Sequence, residues 1–441
     1  MKKYFLIFFV FFLVSILGYS LISSSINSKD DSLINKVSLI LPASFKSTLK
    51  NTLFAPKQIK VLEKDIKKQS IEIDLLKNLK KQNELNQFKV YSNNDILIDL
   101  VSYDENLIIN KHDFTIKKIP FNFLAFSKSY PNGYSNSYLD LYNSKLIIGS
   151  GNGVFGFIDF NNIISTNYQY ISIPSNIDDF IDNQFVTSDF EGGLKDIHIV
   201  DETLYVSLVL EVSEMCYGIK VIQAKVNTKF LNFESFFDPI ECVKSDEITN
   251  EPTMLVQSGG RIISDKNGNI ILSTGDFRNR SKSQNEKSIF GKLILLKKGT
   301  NSFKILTMGN RNIQGMTFDA KSEFILMTEH GPKGGDEINY YNFNFSSKIE
   351  NYGWPISSYG EHYKNKKIIY ENYPLHKSHE KFGFNEPIIY FTPSIAISEI
   401  EHIDQNLFIF SSMGTNSEEG DLSLYNLSFD KKIIEYEKLF S

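Results

Sequence analysis

Asp265–Thr274 reads DKNGNIILST, a polar turn followed by an apolar run that closes in Ser or Thr. The same unit recurs as Asn143–Ser150 (NSKLIIGS), Asp201–Ser207 (DETLYVS), Asp319–Thr328 (DAKSEFILMT) and Asp404–Ser411 (DQNLFIFS). Asp, Asn and Gly supply turn geometry, and β-branched or aromatic residues suit a half-buried pleated surface, so each copy predicts a turn and then a strand. The copies are irregularly spaced with loops between them, which a β-propeller tolerates because each blade needs only to restart its inner strands. A β-sandwich with several hairpins is the competing arrangement; five copies of one strand signal favour the propeller.

Composition agrees with a mostly β fold. The 441 residues include 36 Phe and 22 Tyr, and 41% hydrophobic residues with only 12 Pro are too apolar for general disorder. With 47 Lys+Arg against 52 Asp+Glu and a net charge of −5, no basic excess exists to neutralise a phosphate backbone, which excludes a nucleic-acid partner.

The N-terminus predicts export. Lys2 and Lys3 precede the uncharged stretch Tyr4–Ser28 (YFLIFFVFFLVSILGYSLISSSINS), long enough to cross a bilayer as a helix with its basic end in the cytoplasm. A retained single-pass anchor over residues 1–25, with the bulk of the chain periplasmic, is favoured over a leader cleaved near Gly18-Tyr19-Ser20. Residues 26–87 follow as a polar stalk in which Ile59, Leu62, Ile66, Ile73 and Leu76 mark a short amphipathic helix, and residues 88–441 form the propeller domain. Cys216 and Cys242 flank a strand-rich stretch that reads as a hairpin. Two buried thiols or a disulfide both fit, and an export route favours the disulfide.

Gly309–Tyr363 concentrates the residues that carry chemistry: GNRNIQG, EHGPKGGDEIN and NYGWP, with the only tryptophan, Trp354. Read residue by residue, Arg311 suits bidentate recognition of a carboxylate. Asp336 or Glu337 beside the carbonyls of Gly331 and Pro332 suits a hard cation such as Ca²⁺; turn chemistry with a structural ion pair is the alternative. His376 and His379 lack a third ligand in register and read as part of a solvated polar loop.

These three motifs, in this order, resemble the signature of the glucose/sorbosone dehydrogenase family, soluble sugar dehydrogenases that use pyrroloquinoline quinone. The likeness extends from about Glu191 (EGGLKDI) through Gly259–Asp276 (GGRIISDKNGNIILSTGD) to the end of the chain. It implies an all-β, six-bladed propeller with quinone and Ca²⁺ at one end of a central channel, and aldose oxidation to a lactone. By position, Arg311 and Asn312 correspond to the pair that contacts the quinone, and the Gly331 and Pro332 carbonyls to those that share its calcium. Glu337 and Tyr352 correspond to ligands of a second, structural calcium. The resemblance implies a small sugar or polysaccharide as substrate, and an electron acceptor.

Departures from the family pattern raise a second reading. Gln257 stands where the family has the histidine that removes the sugar C1 hydroxyl proton, and an amide cannot act as that base. Glu191 replaces a glutamine near the polyanionic cofactor, and Gly414 replaces a lysine. Family members continue through an Arg-x-Arg segment into a closing blade, so the last blade is expected to be incomplete, with Asp95–Val101 as a candidate to close the edge. The alternative to a sugar oxidoreductase is therefore a non-catalytic, calcium-stabilised propeller that binds a carbohydrate or protein partner.

Overall fold

The computed structural model describes residues 108–111, 114–117, 137–151, 153–163, 170–181, 193–214, 216–244, 257–300, 302–343, 348–363, 371–416, 420–430 and 434–440. The expected membrane helix and stalk, the strand Asp95–Val101 and Glu191 lie outside the described residues. Among those that are described, no helix is long and apolar enough to cross a membrane.

A two-stranded hairpin, β1 (Ile108–Lys111) and β2 (Phe114–Lys117), precedes five sheets that are antiparallel but for one short pairing in the third. Blade 1 comprises β3 (Ser137–Tyr142), β4 (Lys145–Ser150), β5 (Phe155–Asp159) and β6 (Tyr170–Ile173). Blade 2 comprises β7 (Gly193–Val200), β8 (Thr203–Ser213), β9 (Cys216–Lys225) and β10 (Glu234–Phe237). Blade 3 is built from β11 (Gly259–Ser264), β12 (Ile270–Thr274), β13 (Lys292–Leu296) and β14 (Phe303–Met308). Blade 4 has β15 (Ile313–Asp319), β16 (Phe324–Glu329) and β17 (Asp336–Asn342). The segment β18 (Glu350–Asn351) then returns to pair in parallel with β14, and β19 (Ile389–Phe391) completes blade 4 at its outer edge. Blade 5 comprises β20 (Ile397–Asp404), β21 (Leu407–Asn416), β22 (Gly420–Phe429) and β23 (Ile434–Phe440).

The five copies of the sequence unit become β4, β8, β12, β16 and β21, the second strand of each blade. The turns before β4 and β8 place Asn143, Ser144, Asp201 and Glu202 at positive φ, the two-residue geometry that matches strand twist in a tight hairpin. The repeat thus marks one strand in each described blade. Five blades, not six, are found among the described residues, and blade 5 has all four of its strands.

The cores are the blade junctions. Ile147, Phe155 and Ile173 of blade 1 meet Leu194, Leu204 and Val206 of blade 2; Val209, Ile219 and Val221 meet Ile262, Ile270 and Leu272 across the next junction. Ile271 and Leu293 meet Ile325 and Met327 between blades 3 and 4, and Phe324 and Leu326 meet Phe408 and Phe410 between blades 4 and 5. The strands β12 and β16 are buried along their whole length, with one face against each neighbouring blade, which is why these copies read as unbroken apolar runs. Cys216 and Cys242 form a disulfide across the β9–β10 hairpin, with Cα atoms 5.4 Å apart.

Candidate functional site

The innermost strands β3, β7, β11, β15 and β20 surround a cavity of about 1220 Å³ whose walls include Gln257, Arg311, Asn312, His330 and Gly331. GNRNIQG enters β15 and EHGP leaves β16, so adjacent strands of one blade bring Arg311, Asn312 and His330 to the same end of the channel.

Arg311 is the centre of this end. It is only 7% exposed, its Nη1 donates to the His330 carbonyl at 2.8 Å, and its guanidinium lies over the Trp354 ring at 5.4 Å. The Arg311 backbone N–H donates to Glu329, whose other oxygen accepts from Asn310 at 3.0 Å. Burial pushes the Glu329 carboxyl up to about 7, with the neighbouring Glu337 charge adding to the effect. Arg311 Nε has no hydrogen-bond partner among the described residues, nor does His330 Nε2, and both atoms are buried. Burial lowers the pKa of both groups.

Gln257 does not project as an isolated amide. With its amide oriented to satisfy its neighbours, nitrogen donates to Asp276 Oδ1 at 3.0 Å and oxygen accepts from Arg311 Nη2 at 2.9 Å. Its backbone sits at φ +58, uncommon for a residue with a side chain and often found where a site requires it. Gly275 permits the arrangement, because a Cβ there would fall 1.8 Å from the Gln257 carbonyl oxygen. The Gln257 carbonyl in turn accepts from the Phe277 N–H at 3.1 Å.

Asp276, which sequence reasoning missed, is the second anchor. It is fully buried, and its oxygens accept from Trp354 Nε1 at 2.8 Å and the Arg278 N–H at 2.9 Å as well as from Gln257. Burial raises its pKa, and Arg311 and Arg280 oppose that shift. The signal available in the sequence was STGD, an aspartate placed directly after the apolar strand β12. Asn312 spends its Oδ1 on the Gly259 N–H at 3.1 Å and on Gln314 at 2.9 Å, fixing the GGR turn to β15.

Of the acidic residues of EHGPKGGDEIN, Asp336 has both oxygens engaged. Asp336 accepts from the Gly331 N–H at 3.0 Å and Ser394 at 3.1 Å with one oxygen, and from the Ile395 and Ile397 N–H groups at 3.1 Å each with the other. It staples blade 4 to blade 5. Glu337 faces His379 Nε2 at 3.4 Å and Asn339, and the Tyr352 hydroxyl donates to the Tyr340 carbonyl at 2.7 Å. His379 is 1% exposed and stacked on Tyr359, not solvated as its sequence context suggested. Glu337 and Tyr352, the residues expected at a second cation, thus face an imidazole and a backbone carbonyl of the protein. Among the described residues no three His, Cys, Asp or Glu side chains converge as a metal site.

Comparison with known proteins places this geometry in a lineage. Residues 170–425 match the family described as Glucose / Sorbosone dehydrogenase. The chain is 31% identical over 163 residues to aldose sugar dehydrogenase YliI of Escherichia coli K12, covering 34% of this chain and 41% of that protein. It is 33% identical over 137 residues to the uncharacterized protein slr1608 of Synechocystis, covering 28% of this chain and 30% of that one. The chain thus spans less than half the length of either curated relative. Among solved structures, the apo form of the soluble aldose sugar dehydrogenase of Escherichia coli superposes with a TM-score of 0.53 at 20% identity, covering 69% of this chain and 89% of that one. A glucose dehydrogenase superposes at 0.52 and 18% identity, with coverage of 69% and 85%. At these identities the structures establish the shared fold.

Proposed function

This chain belongs to the glucose/sorbosone dehydrogenase family, and we propose that it binds an anionic quinone of the pyrroloquinoline type at the Arg311 end of the channel and oxidises an aldose there. Arg311 carries the reading. A buried guanidinium with its Nε unpartnered, beside the unpartnered His330 Nε2 on the wall of a cavity, leaves donor capacity suited to a ligand rich in carboxylates. The carbonyls of Gly331 and Pro332 would hold Ca²⁺, and the pair of metal and quinone would supply the hydride-accepting chemistry.

The residues of this chain set the limits. Gln257 holds Arg311 and Asp276 in register but takes no proton, so turnover is expected about 10²–10⁴-fold below that of a site with a base there. Asp276 does not replace it, because both its oxygens are engaged. A second reading, recognition of a carbohydrate or protein partner without turnover, is favoured by the same Gln257. Tyr4–Ile22 would hold the propeller at the outer face of the membrane in either case.

The test is titration of the full chain with pyrroloquinoline quinone in Ca²⁺, followed by quinone absorbance and by the fluorescence of Trp354. Saturable quenching is expected, abolished in Arg311→Met. Sugar-dependent reduction of the quinone should be weak in the parent and rise at least tenfold in Gln257→His. Failure to quench sinks the dehydrogenase reading and leaves the recognition reading.

A further inference from the structure

The far end of the channel carries a second constellation that the quinone reading does not use. Asp140 lies on β3, His198 on β7 and Ser264 at the end of β11, three innermost strands of three successive blades, and all three line the cavity. Asp140 Oδ2 is 3.2 Å from His198 Nδ1, and His198 Nε2 is 2.9 Å from Ser264 Oγ.

The acid is held in place independently of the imidazole. Its Oδ2 also accepts from the Ile199 N–H at 2.6 Å, and its Oδ1 from the Leu141 N–H at 2.6 Å. A carboxylate opposite Nδ1 assigns the ring proton to that nitrogen and leaves the Nε2 lone pair facing the serine hydroxyl. Both Asp140 and His198 side chains keep 24% of their surface exposed, so the group is open to the channel rather than sealed in a core.

Arg261, on the wall of the same cavity, lies along β11 between this end and the Arg311 end. Arg261 reaches Asp196 at 3.5 Å, pairs with Glu399 of blade 5, and lies over the Tyr138 ring of blade 1 at 5.5 Å. Gly259, at the start of β11, touches Asn312, whereas Ser264 closes the same strand at its opposite end. The two constellations therefore sit at different heights of one channel.

A hydroxyl within hydrogen-bond reach of an imidazole that a third group orients is the arrangement that activates a nucleophile, whatever the fold. We propose that Ser264 is an acyl-accepting nucleophile, with His198 as its general base and Asp140 as the residue that positions His198, acting on small, activated carboxylic esters that enter this end of the channel. Ser264 Oγ attacks the ester carbonyl carbon and its proton passes to His198 Nε2. The carbon–oxygen bond to the leaving group then breaks, and the departing alkoxide takes that proton as an alcohol. Water repeats the sequence: it attacks the acyl carbon, gives a proton to His198, and that proton returns to Ser264 as the carboxylic acid leaves. The balance requires only ester and water.

The experiment uses the full chain with a fluorophosphonate probe and with p-nitrophenyl acetate, and locates any adduct by peptide mass. The expected adduct is on Ser264, lost in Ser264→Ala, with ester hydrolysis falling at least a hundredfold. His198→Gln should slow labelling about 10²–10⁴-fold. Asp140→Asn, which offers an N–H where the imidazole needs an acceptor, should slow labelling while leaving the thermal midpoint within a few degrees of the parent. An unlabelled parent, an adduct elsewhere, or equal labelling in His198→Gln overturns the proposal and leaves the three residues as a hydrogen-bonded girdle between blades.

Discussion

At the Arg311 end of the channel, the polar groups come from loops of blades 3 and 4 and from the NYGWP segment that returns to blade 3. At the His198 end, Asp140, His198 and Ser264 come from three different blades. The first end is stapled within itself, each member of Gln257, Asp276, Arg311 and Trp354 touching at least one other. The second depends on how the blades are spaced around the axis. Dense local motifs build an end that resists small shifts between blades; dispersed residues build one that reports them.

The strongest way to break the comparison is to remove Arg261, whose partners come from blades 1, 2 and 5. Arg261→Met leaves the buried Asp196 without its cation and is expected to destabilise the fold by about 3–5 kcal/mol, read as a lower urea midpoint. Arg311→Met removes the bond to Gln257 and one of the two cations acting on Asp276, Arg280 remaining, and should cost about 1–3 kcal/mol, but it alone should also abolish quinone quenching of Trp354. Should the urea midpoint of Arg261→Met match the parent, the pair with Asp196 contributes nothing to holding the blades together.

Trp354→Phe sharpens the contrast at smaller scale. It removes the N–H donated to Asp276 and weakens the face offered to Arg311 and Arg280, for an expected loss of about 1–3 kcal/mol by circular dichroism. Ester turnover at the His198 end should be unchanged, because Trp354 touches nothing there. A matched loss of turnover would show that the ends are mechanically coupled.

The effect smallest per step of the variable concerns the support behind the Arg311 end. Lys292 is fully buried, and its Nζ donates to the carbonyls of Lys282, Ser283 and Phe290 at 2.7–2.9 Å, folding the 280–290 loop around it. That loop carries Gln284, which donates to the Trp354 carbonyl at 2.6 Å. Burial lowers the Lys292 pKa from 10.5 to about 7. Between these values the unfolded chain holds a proton that the folded chain has released. Stability should therefore rise with pH across that window, by at most about 1.4 kcal/mol per unit, and the cost is fully present below pH 7. Lys292→Met should flatten this slope in urea unfolding measured at pH 7, 8 and 9.

Much of this was legible in the residues. The repeat unit marked the second strand of every described blade, because a strand buried on both faces must be apolar throughout and its hairpin must turn on Asn, Asp or Gly. GNRNIQG and EHGP located one end of the channel because its contacts are made by neighbours in sequence or by adjacent strands. Glu337, Asp336 and Tyr352 were harder to read. Their residue types suit a cation, yet in the fold they meet protein groups, His379, Ser394 and the Tyr340 carbonyl, that the local motif does not announce.

Alone, the sequence determined a β-propeller of this family with an arginine-centred end and no base at Gln257, since composition, periodicity and local motifs carry that information. Only the tertiary structure decided that Gln257 bridges Arg311 and Asp276, that His379 faces Glu337, and that Ser264 meets His198 and Asp140. The physical reason is that hydrogen bonds are satisfied in space, and blade packing brings together side chains whose separation along the chain leaves no periodic trace.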